Sequence, residues 1–332
     1  MPDVIESRVV SVLREYREEL ILREGSVLEE MTSRWLKIEQ QLDADISALH
    51  LLMASKKTDD VMLTRQMIWK EERYQKLKAE LQAAIKAYNQ NYLIRELSQA
   101  QSDIGWLGVQ ASLDAVKASY AVGSSPLIKV LNRDAVEALS GFLSNGAPLN
   151  SLLKNEFPEA LEGLTDALIN AVARGLGPKA AAQEMVNGMG MGLDRAMLIS
   201  RTEIGRAYRS GNILQYRESG VVTGFVRLVK KESACMACLL LDGEKFALAE
   251  MLDDHPQGNC SAVPEVAGVG APQWEKGADW FARLDQDQQQ AKLGPQLFER
   301  WQKEGFDLSS LVSKSHSPEW GDTPRFNAGG SV

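Results

Sequence analysis

The sequence predicts an α+β fold that is predominantly α-helical. A long-helix N-terminal region precedes a small mixed domain with a short β-sheet and a metal-binding loop. Three observations predict it. Apolar residues recur at three- and four-residue steps through roughly the first 120 residues. One run rich in β-branched residues, "VVTGFVRLVKK" (221–231), follows a chain otherwise patterned for helices. All three cysteines of the 332-residue chain lie between positions 235 and 260, beside one of its three histidines.

The chain is long enough for two or three domains. With 44% hydrophobic and 25% charged residues it can build sizeable cores. A net charge of −8 argues against wholesale coating of nucleic acid, and leaves room for a local basic face. The opening "MPDVIESRVVSVLREYREEL" carries acidic residues where a secretory leader is basic. No run approaches the roughly 18 apolar residues of a spanning helix. The sequence thus predicts no signal peptide and no membrane partner. Three cysteines cannot all pair within one chain, which favours a reducing compartment and a metal over a disulfide framework.

Residues 1–122 read as long helices. Val9, Val12, Tyr16 and Leu20 form one stripe, and Leu63, Met67, Tyr74, Leu77, Leu81, Ile85 and Tyr88 another. "SKKTDD" (55–60) is a polar break between them. The stripes suit a helical hairpin core or an intermolecular coiled coil. "VGSSP" (122–126) is a linker. A core domain over 123–266 follows, opening with helices in "LIKVLNRDAVEALSGFL", "FPEALEGLTDALINAVARGLG" and "PKAAAQEMVNGMGMG". "GMGMG" (188–192) follows a helix, not a strand, so it reads as a helix–helix turn and not a phosphate loop. A helix from about Leu193 to Ser219 closes at Gly220. "GEKFA" and "CSAVPEV" are short strands on either side of the cysteine-rich loop. Beyond the linker 266–272, residues 267–314 form a C-terminal helical extension with two short helices, and 315–332 a flexible tail.

Two residues separate Cys235 from Cys238, sixteen separate Cys238 from His255, and four separate His255 from Cys260. Three thiolates and an imidazole make a complete tetrahedral shell for zinc. The intervening loop has few large apolar side chains, so a metal worth on the order of 10 kcal/mol would fix it. The competing readings are small buried hydrophobes or a redox pair. H-E-x-x-H is absent, the deaminase His-x-Glu order is absent, and His50 and His316 are remote in sequence. A closed structural site without catalysis or a small-molecule substrate fits better.

On the helix before the loop, Arg206, Arg209 and Arg217 fall within about 40° of Arg195 at 100° per residue. This basic stripe offers a contact for DNA phosphates or an acidic partner; a solvated face is the alternative. Arg201 and Asn212 fall at the edge of the buried face near Gly205, which permits close approach. They are expected to hydrogen-bond carbonyls or a carboxylate in the strand-and-zinc region.

From about Gly175 to Val312 the order of motifs resembles the phage Mu F-like minor head proteins, also called phage head morphogenesis proteins. The motifs are "GLGP"; Arg201-Thr202-Glu203 with a following Asn212; Cys-x-x-Cys followed by Leu241-Asp242-Gly243; His255-Pro256 and a closing Cys260; and a "WF…Q…LGP…W…G…L" end. That family commonly ends the motif His-Pro-x-Cys-Arg-Cys, whereas this chain has Gly258 in place of the first late cysteine. The resemblance implies a minor virion component made in bacterial cytoplasm. Its partners would be the portal protein, major capsid or scaffold proteins and, locally, packaged dsDNA, with a part in head assembly, packaging or ejection. A metal-dependent nucleic-acid hydrolase and a DNA-binding module are the alternatives.

Overall fold

The computed structural model describes residues 7–54, 70, 72–138, 140–141, 178–317 and 320–328. The 55–60 break, Leu63, Met67 and the helix expected within 157–177 lie outside them. Helix α1 spans Arg8–Ala54, α2 Glu72–Ala87 and α3 Ile94–Ala118, with a π-helical turn at Tyr88–Leu93 joining the last two. After a short α4 (Arg133–Glu137) comes α5 (Pro178–Ser219). The sheet strands are β1 (Val222–Leu228), β2 (Lys245–Ala247) and β3 (Ser261–Val266), with α6 (Met236–Leu240) between β1 and β2. Helices α7 (Gly277–Ala282), α8 (Gln286–Leu293) and α9 (Pro295–Glu304) precede a hairpin of β4 (Val312–Ser317) and β5 (Gly321–Phe326). The predominantly helical α+β expectation holds. No helix among the described residues is long and apolar enough to cross a membrane.

Contacts group the chain into two units: 25–99 with 147–200, and 1–24 with 100–146 and 201–332. The first is helical. Its centre is Trp35, edge-on to Tyr88 at 5.4 Å, with Tyr92 5.5 Å from Tyr88. The Tyr88 hydroxyl donates to the Met31 carbonyl at 3.1 Å, and Leu28, Met31, Tyr74, Leu77 and Ile85 are buried around it. Tyr74, Leu77, Ile85 and Tyr88 of the second stripe are therefore core of this unit.

The second unit holds the sheet, ordered β2–β1–β3 and antiparallel throughout. Central β1 is buried at six of its seven positions, which explains its near-continuous apolar run. Phe225 pairs with Phe246 across the ladder, and their rings stack 5.1 Å apart. A single core joins Val116, Ile213, Tyr216, Phe225, Leu239, Phe246, Phe281, Leu297 and Leu311.

Helices α3 and α5 approach through glycine. A Cβ on Gly108 would strike the Tyr208 carbonyl, and one on Gly211 the Gly105 carbonyl. Asn212, fully buried, spans this contact: its Nδ2 donates to Gly108 O at 2.6 Å and Ser112 Oγ at 2.8 Å. Its partners are thus on α3, not in the strand-and-loop region as expected. Gly205 meets only ordinary contacts, so it is not the glycine that sets the approach.

Four local expectations need correction. "GMGMG" lies inside α5. Three glycines each cost about 1 kcal/mol relative to alanine, a penalty that a 42-residue helix absorbs. Among the described residues, the "LIKVLN" run has no regular secondary structure, and Arg133–Glu137 is helical, capped by Asn132. The C-terminal extension has three short helices, the extra one starting at Pro295 after Gly294. Residues 312–326, expected to be partly tail, form the β4–β5 hairpin, with Val312 paired to Phe326 and Ser317 to Gly321.

Candidate metal centre

Gly220, at φ +74°, ends α5 and turns the chain into β1. Beyond β1, the 230–234 turn is held by Lys292 from α8. Its Nζ donates to the carbonyls of Lys231, Glu232 and Ala234 at 3.0–3.2 Å. This turn delivers Cys235 to the N-cap of α6, where its Sγ accepts from Cys238 N at 3.5 Å. The Cys-x-x-Cys spacing thus points both sulfurs at one place. Asp242 and Gly243 shape the far side of α6. Asp242 Oδ1 accepts from Val229 N at 3.1 Å and its carboxylate accepts from Trp274 Nε1, while burial pushes its pKa up. Gly243 adopts φ +99°, and its N–H donates to Arg227 O at 2.9 Å. The hairpin packs on α6 as well.

His255 comes from the opposite side. Its Nε2 lies 3.3 Å from Cys235 Sγ and its Nδ1 2.8 Å from Pro256 O. Donation from Nδ1 to the carbonyl leaves Nε2 as the free lone pair facing the thiols. Without metal, hydrogen bonding from Cys238 and then His255 draws the Cys235 thiol down to about 4. The bond to Cys235 carries His255 up to about 9. Cys238 is pushed up by its bonds to Cys235 and Cys260 and by burial.

The donor atoms fall into two overlapping groups, each within 4.8 Å: Cys235, Cys238 and His255, and Cys238, Asp254 and Cys260. Cys238 and Cys260 are buried while Cys235 is exposed. Soft sulfur and imidazole at this spacing fit a zinc ion, with Cys235, Cys238 and His255 as its holders and a fourth donor from the second group. The surroundings fit too. Buried Arg17, Arg209 and Arg227 lie on the Asp254–Cys260 side and balance an anionic shell. Zinc there would cross-link the loop.

Helix α5 clamps the 254–260 loop. Gln257 adopts φ +62°, uncommon for a non-glycine residue. Thr202 Oγ1 accepts from its N–H at 3.2 Å, and Arg201 donates to its side chain at 3.2 Å. Arg201 also pairs with Glu24 of α1 at 2.5 Å, so the expected carboxylate partner exists but comes from the N-terminal helix. Glu203, buried, accepts from Arg206 Nε at 2.7 Å and from Gln101 at 3.4 Å.

The four arginines of the expected basic stripe do not form a uniform solvated face. Arg209 is buried and donates to Gly258 O at 2.9 Å, with Asp254 Oδ2 3.2 Å away. Arg206 serves Glu203, and Arg217 donates to the carbonyls of Leu248, Ala249 and Glu250. Arg195 is half-buried and belongs to the other unit. A helical wheel places arginines on one side correctly. It does not show that the 248–258 segment covers much of that side.

Sequence reasoning missed Asp254. Its side chain is fully buried and accepts from His255 N at 3.0 Å, Cys260 N at 3.1 Å and the Cys238 thiol at 3.7 Å. The available signal was its place directly before the histidine, in "LDDHP". It also missed Arg227, fully buried in β1, which pairs with Glu244 at 3.0 Å and Asp253 at 2.5 Å and so ties the sheet to the loop.

A helix grips the thiol–imidazole loop against a three-stranded antiparallel sheet, in a small domain whose Cys/His cluster could hold a metal. Residues 162–262, just under a third of the chain, match the family described as Phage Mu protein F like protein, in agreement with the head-morphogenesis resemblance. The match takes in Cys235, Cys238, His255 and Cys260, and the clamp residues of α5. No curated protein and no solved structure matches the chain.

Proposed function

We propose that this chain is a minor head protein of a tailed phage or prophage, acting in head morphogenesis at the portal or head interior. Its long N-terminal helices are the docking part, and its zinc-stapled sheet domain is the rigid, non-catalytic part. The observation that carries the reading is the convergence of Cys235, Cys238 and His255 within the family-matched segment, on a loop gripped by Arg201, Thr202 and Arg209. The polar groups around the loop serve one another: Arg209 with Asp254, Arg227 with Asp253 and Glu244, Asp242 with Trp274. Such mutual satisfaction suits a rigid staple better than a site that must bind and release substrate. Synthesis in the bacterial cytoplasm keeps the thiols reduced for metal. Partners are other head proteins, the portal first, with dsDNA touched only locally.

The test is assembly. Co-expression with tailed-phage portal and capsid proteins, followed by particle purification, should leave this chain in the heads in few copies. Absence from particles together with no association with the portal sinks the reading. A nuclease activity lost in His255→Ala with folding intact would replace it with the hydrolase alternative.

A further inference from the structure

Gly258 lies two residues before Cys260, in the loop that carries His255. The fold shows what fills the space beside it. A Cβ built on Gly258 would overlap Oδ1, Cγ and Oδ2 of the Asp254 carboxylate. Within this chain a side chain at 258 and the present position of Asp254 exclude each other.

We propose that Asp254 is the fourth metal ligand, so that the shell is Cys235, Cys238, His255 and Asp254, with Cys260 outside it. The inference rests on the zinc-staple reading above. Asp254 has the form a single-oxygen ligand needs. Oδ2 is anchored, accepting from Cys260 N at 3.1 Å and facing Arg209 Nη1 at 3.2 Å. Oδ1 is turned to the cluster, 3.7 Å from Cys238 Sγ. The carboxylate is fully buried, and carboxylates are rarely buried unless paired or bound to metal. The outer partner on Oδ2 orients the ligand, as hydrogen-bonded carboxylates do at metal centres.

Cys260 is placed differently. It is buried in the apolar core and leads directly into β3, whose first residue Ser261 is paired with Leu228. Its backbone N–H donates to Asp254 Oδ2 at 3.1 Å, so the residue orients the carboxylate. Cys260 therefore supports the sheet side, and Arg209 and Arg227 balance the charge around both groups.

The experiment is a ligand count on the intact wild-type chain loaded with one equivalent of Zn²⁺, by X-ray absorption at the metal edge. Two sulfur and two nitrogen or oxygen scatterers are expected. Three sulfurs and one nitrogen overturn the proposal and leave the zinc staple standing. Failure to hold stoichiometric metal overturns both. In competition titrations, Asp254→Asn should lose more than the roughly 10–100-fold in affinity that removing an outer partner costs, whereas Cys260→Ser should stay within about 10-fold. The reverse order of the two variants overturns the proposal. Should either variant misfold, the wild-type scatterer count still decides. The exchange can also be reversed: Asp254→Gly with Gly258→Cys should bind metal with three sulfurs and fold better than Gly258→Cys alone. Equal folding of the two overturns the claim that the side chains compete for one space.

Discussion

The two units of this chain are held together by different chemistry. The helical unit relies on aromatic and aliphatic contact, with Trp35, Tyr88 and Tyr92 at its centre. The sheet unit adds buried charge: Arg17, Arg209, Arg227 and Asp254 lie within or beside its core. Apolar contact is tolerant of detail, whereas a buried ion costs several kcal/mol unless its partners are placed well. The contrast teaches that the sheet unit depends on correct loop geometry, and the helical unit on filled volume.

Breaking that contrast begins with the metal. Chelation of the loaded protein should destabilise the sheet unit by several kcal/mol, against the order of 10 kcal/mol available from a structural zinc. Hydrogen exchange should rise in 235–260 and stay unchanged around Trp35; uniform exchange across both units would erase the distinction. Arg227→Ala comes next. It removes a fully buried guanidinium and its pairings with Asp253 and Glu244, and should cost about 3–5 kcal/mol in denaturant unfolding. Trp35→Ala should cost a similar 3–5 kcal/mol through an unfilled cavity, yet leave metal content untouched. Metal loss in that variant would mean that the units do not respond independently. Gly211→Ala pushes a methyl into the Gly105 carbonyl and should cost about 1–3 kcal/mol. The smallest effect is expected at the α8 capping box, where Asp285 accepts from Gln288 N at 2.8 Å. Asp285→Ala should lower stability by about 1 kcal/mol without altering metal content.

Much of the fold was legible because local pattern and tertiary role coincide. Val222, Phe225 and Val226 are β-formers, and they occupy the central strand. Gly220 follows the last helical turn and adopts the left-handed conformation that ends it. The hairpin at 312–326 was not legible. Its residues are polar, it contains Pro324, and its strands are specified by pairing with each other and by packing on α6. The "GMGMG" run misled for the opposite reason: low local helix propensity was outweighed by the helix on either side. At the candidate centre, spacing alone identified Cys235, Cys238 and His255 as a group. It could not identify Asp254, because an aspartate beside a histidine is common and only burial makes it informative.

The sequence by itself determined the predominantly helical class, the three strands of the sheet and the thiol–imidazole loop, since periodicity, β-branching and cysteine spacing act over short range. Tertiary structure decided which charges those elements bury. It turned Arg209 and Arg217 from an expected solvated stripe into a clamp on the loop, gave Asn212 to the glycine-lined contact with α3, and put the Asp254 carboxylate where a side chain at 258 would stand. The physical reason is that burial and ion pairing depend on which distant segment covers a face. That is settled only when α5, the sheet and the 248–260 segment are packed together.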